Sequence, residues 1–169
     1  MPVLQGQETA QLNPTVGQII AKYHASAPVD VLAIAKELGL NVWGMDSLPP
    51  NISGKIFRDS ENGGTSGFSI AVNRTEAPVR QRFTVAHEIA HFLLHRTQLD
   101  AGDLTDDTMY RSGLSSKEEA DANKLAAYIL MPFSLINNLV NSGITDVPTL
   151  AAKLQVSQLA LKIRLGNPT

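Results

Sequence analysis

The sequence predicts an α+β fold: a small, mostly helical domain with one small β-sheet or hairpin, followed by a helical, helix-turn-helix-like C-terminal segment. Three observations predict it. Runs rich in apolar, β-branched or aromatic residues at Leu40 to Trp43, Lys55 to Arg58 and Phe68 to Asn73 fall within one stretch of chain. Apolar residues recur at helical spacing before and after it, over Val29 to Leu38, Pro78 to His95 and Ser116 to Leu130. Beyond Phe133 the pattern breaks into short helical pieces at Gly143 and Pro148. The expected organisation is a loose arm over residues 1–14, a main domain over 15–135 and a helical segment over 136–169.

Each element has a local cause. Residues 1–14 are polar and carry Pro2 and Pro14, which suits an arm. A short helix is expected from Val16 to Tyr23. A second runs from Val29 to Leu38, with Pro28 near its first turn and Gly39 as its stop. Pro49 and Pro50 mark a loop after the first strand. Asn62, Gly63 and Gly64 give a Gly-rich turn that pairs the next two strands as a hairpin. The hairpin leads into a long helix, Pro78 to His95. The polar stretch from Arg96 to Gly113 carries Asp100, Asp103, Asp106 and Asp107 and is expected to be an irregular loop. A helix from Ser116 to Leu130 follows and stops before Pro132.

Composition narrows the functional classes. Of 169 residues, 43% are apolar and 18% charged, which suits a folded core. The formal net charge of −2 gives no support for nonspecific binding to nucleic acid or acidic membranes. The absence of cysteine excludes disulfides, thiolate metal ligands and thiol catalysis. No signal-peptide pattern or apolar run of membrane-spanning length is present, so a cytoplasmic location is expected.

Residues 87–91 read His-Glu-Ile-Ala-His. On a helix this spacing sets two imidazoles one above the other, able to reach one tetrahedral metal ion, with the intervening Glu88 placed to deprotonate water there. The pattern defines the zincin class of metallopeptidases. Around the helix, Phe83, Ala90 and Leu94 flank the histidines, and Val85, Ile89 and Phe92 lie opposite. A helix apolar all round is a buried one. Histidines and a glutamate inside it need a metal or another partner.

A catalytic site of this kind takes a third protein ligand. Projected at about 100° per residue, Glu119 shares a face with Ala122, Asn123, Ala126 and Leu130. Asp121 points away, beside Lys117, Lys124 and Tyr128, and is the fallback ligand. Glu119 could instead close a capping box with Ser116, but Ser115 and Glu118 have the same spacing and would leave Glu119 free. Asn123 is a candidate to support a ligand by hydrogen bonding. His95 lies about 80° around the helix from His87. It is either a supporting group or a packed helix-end histidine. Zinc is the expected ion, with manganese as an alternative for two histidines and a carboxylate.

The stretch Arg80 to His95, reading RQRFTVAHEIAHFLLH, resembles the active-site helix of the ImmA/IrrE metallopeptidases. Glu119-Ala120-Asp121-Ala122-Asn123, then Leu125-Ala126-Ala127 and Leu130-Met131-Pro132, resembles their second motif. Leu125 stands where the family usually has Phe. The resemblance runs from about Val29 to the end of the chain. It implies a small zincin-like domain with a helix-turn-helix-like tail. It also implies zinc on His87, His91 and Glu119, with Glu88 as base. The implied substrate is a helix-turn-helix repressor or antitoxin encoded nearby. The length favours the shorter ImmA-like type over the IrrE branch with its extra sensor-like domain.

Other readings stand beside this one. Tyr110, Arg111 and His95 are candidates to stabilise an oxyanion, while Tyr128 falls on the outward side. The Lys55–Asn73 hairpin offers an edge strand to an extended substrate. The aspartate-bearing stretch is either a lid or a solvated connector. Pro148 to Gln155 and Ser157 to Leu165 resemble a helix-turn-helix. Their only basic residues are Lys153, Lys162 and Arg164, fewer than DNA binding normally requires. A zinc-bearing interaction module that binds a repressor without cleaving it is the alternative to a protease.

Overall fold

The computed structural model describes residues 12–101 and 115–167. Helix α1 (Pro14–Lys22) starts where the Asn13 side chain accepts a hydrogen bond from the N–H of Thr15, with proline in the first turn. Helix α2 (Val31–Glu37) starts two residues later than the sequence suggests. The Asp30 carboxylate accepts from the N–H of Ala33 at 3.0 Å and caps the helix, so Pro28 and Val29 precede it. Gly39, at φ +86°, turns the chain out of α2 into the sheet.

Three strands follow: β1 (Leu40–Met45), β2 (Gly54–Arg58) and β3 (Phe68–Asn73). Their order across the sheet is β1-β3-β2. The expected hairpin is present, with β2 antiparallel to β3 and Ile56 opposite Ile70. Strand β1 pairs with β3 in parallel, Val42 opposite Ile70. The centre strand β3 is buried along its whole length, as its Phe-Ser-Ile-Ala-Val-Asn sequence requires partners on both faces. Its two polar residues are satisfied. The Ser69 hydroxyl donates to Asp59 and accepts from the Trp43 indole N–H, and the Asn73 amide donates to the carbonyl of Ile52. The turn between β2 and β3 packs closely on β1: a Cβ at Gly64 would lie 2.0 Å from the Gly39 carbonyl oxygen.

Helix α3 (Pro78–Leu94) lies against β2 and β3 and runs along α5 (Ser116–Leu130). Between them, Arg96 to Ala101 form a short helix, α4, where an irregular loop is expected from the sequence. Leu99 is fully buried and anchors it. Residues 102–114, with Asp103, Asp106, Asp107, Tyr110 and Arg111, lie outside the described residues, as does most of the N-terminal arm. Helices α6 (Phe133–Asn141), α7 (Val147–Leu154) and α8 (Gln158–Arg164) complete the chain. Gln155, in the left-handed region at φ 53°, closes α7 before the turn to α8.

One apolar core links these parts. Ile70 and Val72 of the sheet, Val85 and Ile89 of α3, Ala126 and Ile129 of α5, and Leu150, Leu154 and Leu161 of the last two helices belong to a single buried cluster. Two arginines staple it. Arg82 donates to the carbonyls of Val29 and Gln155, joining α3 to the start of α2 and the end of α7. Arg164 donates to the carbonyl of Met131 at 2.9 Å and lies over the Phe133 ring. No described helix is long and apolar enough to cross a membrane.

Candidate metal centre

Helix α3 carries the His-Glu-Ile-Ala-His segment. Proline stands in its first turn and neither Gly nor Pro interrupts it afterwards, so nothing breaks its hydrogen bonding. The helix is enclosed as the apolar pattern requires: Val85, Ala86, Ile89, Ala90 and Phe92 are buried, and so are Glu88 and His91. His87 keeps 17% of its side chain open, and the His91 side chain is fully buried. Four residues apart, the two rings meet nearly at right angles with their centroids 4.5 Å apart. Their Nε2 atoms are 3.0 Å apart.

The third group comes from α5. Oε2 of Glu119 lies 3.2 Å from Nε2 of His87 and 3.2 Å from Nε2 of His91. Local structure at the start of α5 explains why Glu119 is available. Ser115, not Ser116, caps the helix: its hydroxyl accepts from the N–H of Glu118, and the Glu118 carboxylate accepts from the N–H of Ser115. With that box closed by Glu118, the next carboxylate turns toward the histidines. Asp121 pairs instead with Lys117, 2.8 Å away.

His87, His91 and Glu119 thus form a possible metal-binding group, their ligand atoms all within 4.8 Å of one another. The donor set fits a cation. Two imidazole nitrogens and a carboxylate oxygen all bring lone pairs to one small triangle. Shared protons can satisfy only some of its edges, whereas one divalent ion satisfies all three atoms. Bonds of about 2.0–2.1 Å to a tetrahedral ion imply ligand–ligand edges of about 3.3 Å. The edges here are 3.0, 3.2 and 3.2 Å. Burial works to raise the Glu119 carboxyl, but hydrogen bonding to His87 and His91 and their charge outweigh it and hold Glu119 well below the ordinary carboxylate range.

The two candidates for support are placed differently. His95 caps the C-terminus of α3, is buried, and lies with its Nδ1 2.9 Å from Nδ1 of His91. Asn123 is exposed and makes no hydrogen bond to the triad among the described residues. Tyr128, expected to face outward, is buried edge-on against the ring of His24. Both differences have one cause. The buried face of α5, with Ala122, Leu125, Ala126, Ile129 and Leu130, is centred near Ile129, about 80° around the helix from Glu119. Glu119 therefore sits at the edge of the packed face, Asn123 falls beyond it, and Tyr128 lies within it on the other side.

Gln98 is a contributor that sequence reasoning passed over. Its amide donates to Glu118 at 2.7 Å and fixes the carboxylate beside His95. Its position depends on α4, which six residues with no clear period do not announce. The Phe83 ring lies roughly parallel to that of His87, with planes 26° apart and centroids 6.4 Å apart.

Residues 35–166 match the peptidase family described as the IrrE N-terminal-like domain. No curated protein matches the chain. Among solved structures, a Mycobacterium tuberculosis transcriptional regulator shares the fold, with a TM-score of 0.63 and 16% identity. The match covers 99% of this chain and 47% of that one, so this chain spans about half the length of that protein. On the match over residues 35–166, and with the two-histidine, one-carboxylate cluster in place, the chain belongs to the peptidase family of the IrrE N-terminal-like domain and has its metallopeptidase-like fold.

Proposed function

We propose that this protein is a zinc-dependent endopeptidase that cleaves a helix-turn-helix transcriptional repressor or antitoxin in the cytoplasm and so relieves repression. The observation that carries the reading is the meeting of His87, His91 and Glu119 from two helices, with Glu88 next to the first ligand. Membership of a peptidase family supports it. So does a cysteine-free, nitrogen- and oxygen-only ligand set, which suits zinc.

A zinc ion held by His87, His91 and Glu119 would supply a Lewis acid that polarises the scissile carbonyl and makes water more acidic. The chain's own groups do the rest. His87 and His91 present Nε2 on one side, and Glu119 presents Oε2. The Glu88 carboxylate accepts the proton of the attacking water and returns it to the leaving amine. Burial of Glu88 and His91 keeps bulk water from competing at that step. The edge position of β2 leaves one side of the sheet able to pair with an extended substrate.

The last two helices support a packing or docking role more than DNA binding. Of the three basic residues there, Arg164 is tied inward to Met131 and Phe133. A second reading, binding without cleavage, is favoured by one feature: Leu159 and Ile163 stand exposed one turn apart on α8. Co-expression with a candidate repressor separates the two. Glu88→Gln is expected to retain zinc and repressor binding and to lose cleavage. If this variant relieves repression as well as the wild type does, binding and not proteolysis is the activity.

A further inference from the structure

The ligand His91 is braced from behind by a second histidine. His95 lies one helical turn on, with its Nδ1 2.9 Å from Nδ1 of His91. Its Nε2 faces Glu118, 4.0 Å from Oε2. Glu118 is itself fixed, accepting from the N–H of Ser115 at 3.1 Å and from the amide of Gln98 at 2.7 Å. Gln98 of α4 and the capping box of α5 thus hold a carboxylate near His95, and His95 itself contacts the ligand on α3.

Two imidazole nitrogens at this distance share one proton: one donates and the other accepts. When Nε2 of His91 is given to a cation, the ring keeps its proton on Nδ1. Nδ1 of His91 must then donate and Nδ1 of His95 must accept. His95 in turn carries its own proton on Nε2, on the side of the Glu118 carboxylate. A ligand imidazole is usually given such an acceptor behind it, which fixes its tautomer and plane, most often a carboxylate or a backbone carbonyl. We propose that His95 is a positioning residue for the metal centre, holding His91 in its metal-binding tautomer. This rests on the metal reading of His87, His91 and Glu119.

The test compares the full chain as wild type, His95→Asn and His95→Leu. Zinc affinity is measured by competition with a chromophoric chelator, and melting is followed without metal. His95→Leu keeps the bulk and loses the acceptor, so its affinity is expected to fall roughly 10–100-fold. His95→Asn, whose side-chain oxygen can accept in the same place, is expected to keep most of the affinity. Equal affinity in wild type and a folded His95→Leu overturns the proposal, and so does an equal loss in both variants. Should His95→Leu fail to fold, nitrogen-15 spectra of the zinc-loaded wild type decide. They are expected to show His95 protonated on Nε2; protonation on Nδ1 overturns the proposal. A wild type that binds no zinc fails differently, because it removes the metal reading itself.

Discussion

His91 on α3 and Glu119 on α5 face each other at 3.2 Å, Nε2 to Oε2, although 28 residues separate them. The contact exists because the two helices run along each other and because Glu118 has taken the capping role. Glu119→Gln keeps the size but loses the charge. We expect zinc affinity to fall by more than about 100-fold, beyond the range typical of groups that only support a ligand. Chelator competition at fixed pH measures it.

The capping assignment is separable from the metal. Ser115→Ala removes the hydroxyl that accepts from Glu118, and is expected to cost about 1 kcal/mol in metal-free urea unfolding. Ser116→Ala, one residue on, is expected to change stability by less than about 0.5 kcal/mol. The opposite order would return Glu119 to the cap.

Gly54 opens β2 beneath the metal-bearing helix. A Cβ there would lie 2.5 Å from Cγ2 of Thr84 and 2.7 Å from the Ala71 carbonyl oxygen. Gly54→Ala must therefore displace the Thr84 side chain of α3 and strain the pairing of β2 with β3. We expect a loss of about 1–3 kcal/mol in the unfolding free energy.

His24 makes stability depend on pH away from the site. Burial lowers its pKa from the ordinary 6.5, and the charge of Arg164 adds to this against the hydrogen bond to the Ile129 carbonyl, which raises it. The folded ring takes up a proton less readily than the unfolded chain, whose histidine titrates near the ordinary 6.5. As pH falls through that value the unfolded state takes up a proton that the folded state does not. The contribution is thus present above 6.5 and is lost as pH falls toward the lowered folded pKa. Urea midpoints of wild type are expected to drop between about pH 7.5 and 5.5 more than those of His24→Gln.

Much of this was legible in the chain. The α3 segment announced itself by burial on all sides, and His-Glu-Ile-Ala-His by its spacing. The choice of Glu119 over Asp121 followed from helical projection and from the spare capping pair at Ser115 and Glu118. The hairpin β2–β3 was local and readable from its glycines. The parallel partnership of β1 with β3 was not, because nothing within Leu40 to Trp43 names a distant partner. Tyr128 and Asn123 were misplaced for a related reason. A single-helix projection centred the inward face on Glu119, whereas the packed neighbours centre it near Ile129. Tyr128 is covered by His24, a residue from beyond the end of α1 that no pattern in α5 predicts.

X-ray absorption at the zinc edge of the purified, zinc-loaded full chain tests the central claim most directly. We expect one ion per chain with two imidazole nitrogens and carboxylate oxygen in its shell, and loss of the imidazole signature when His87 and His91 are replaced together. A zinc shell unchanged by that double replacement, or by Glu119→Ala, would contradict the account.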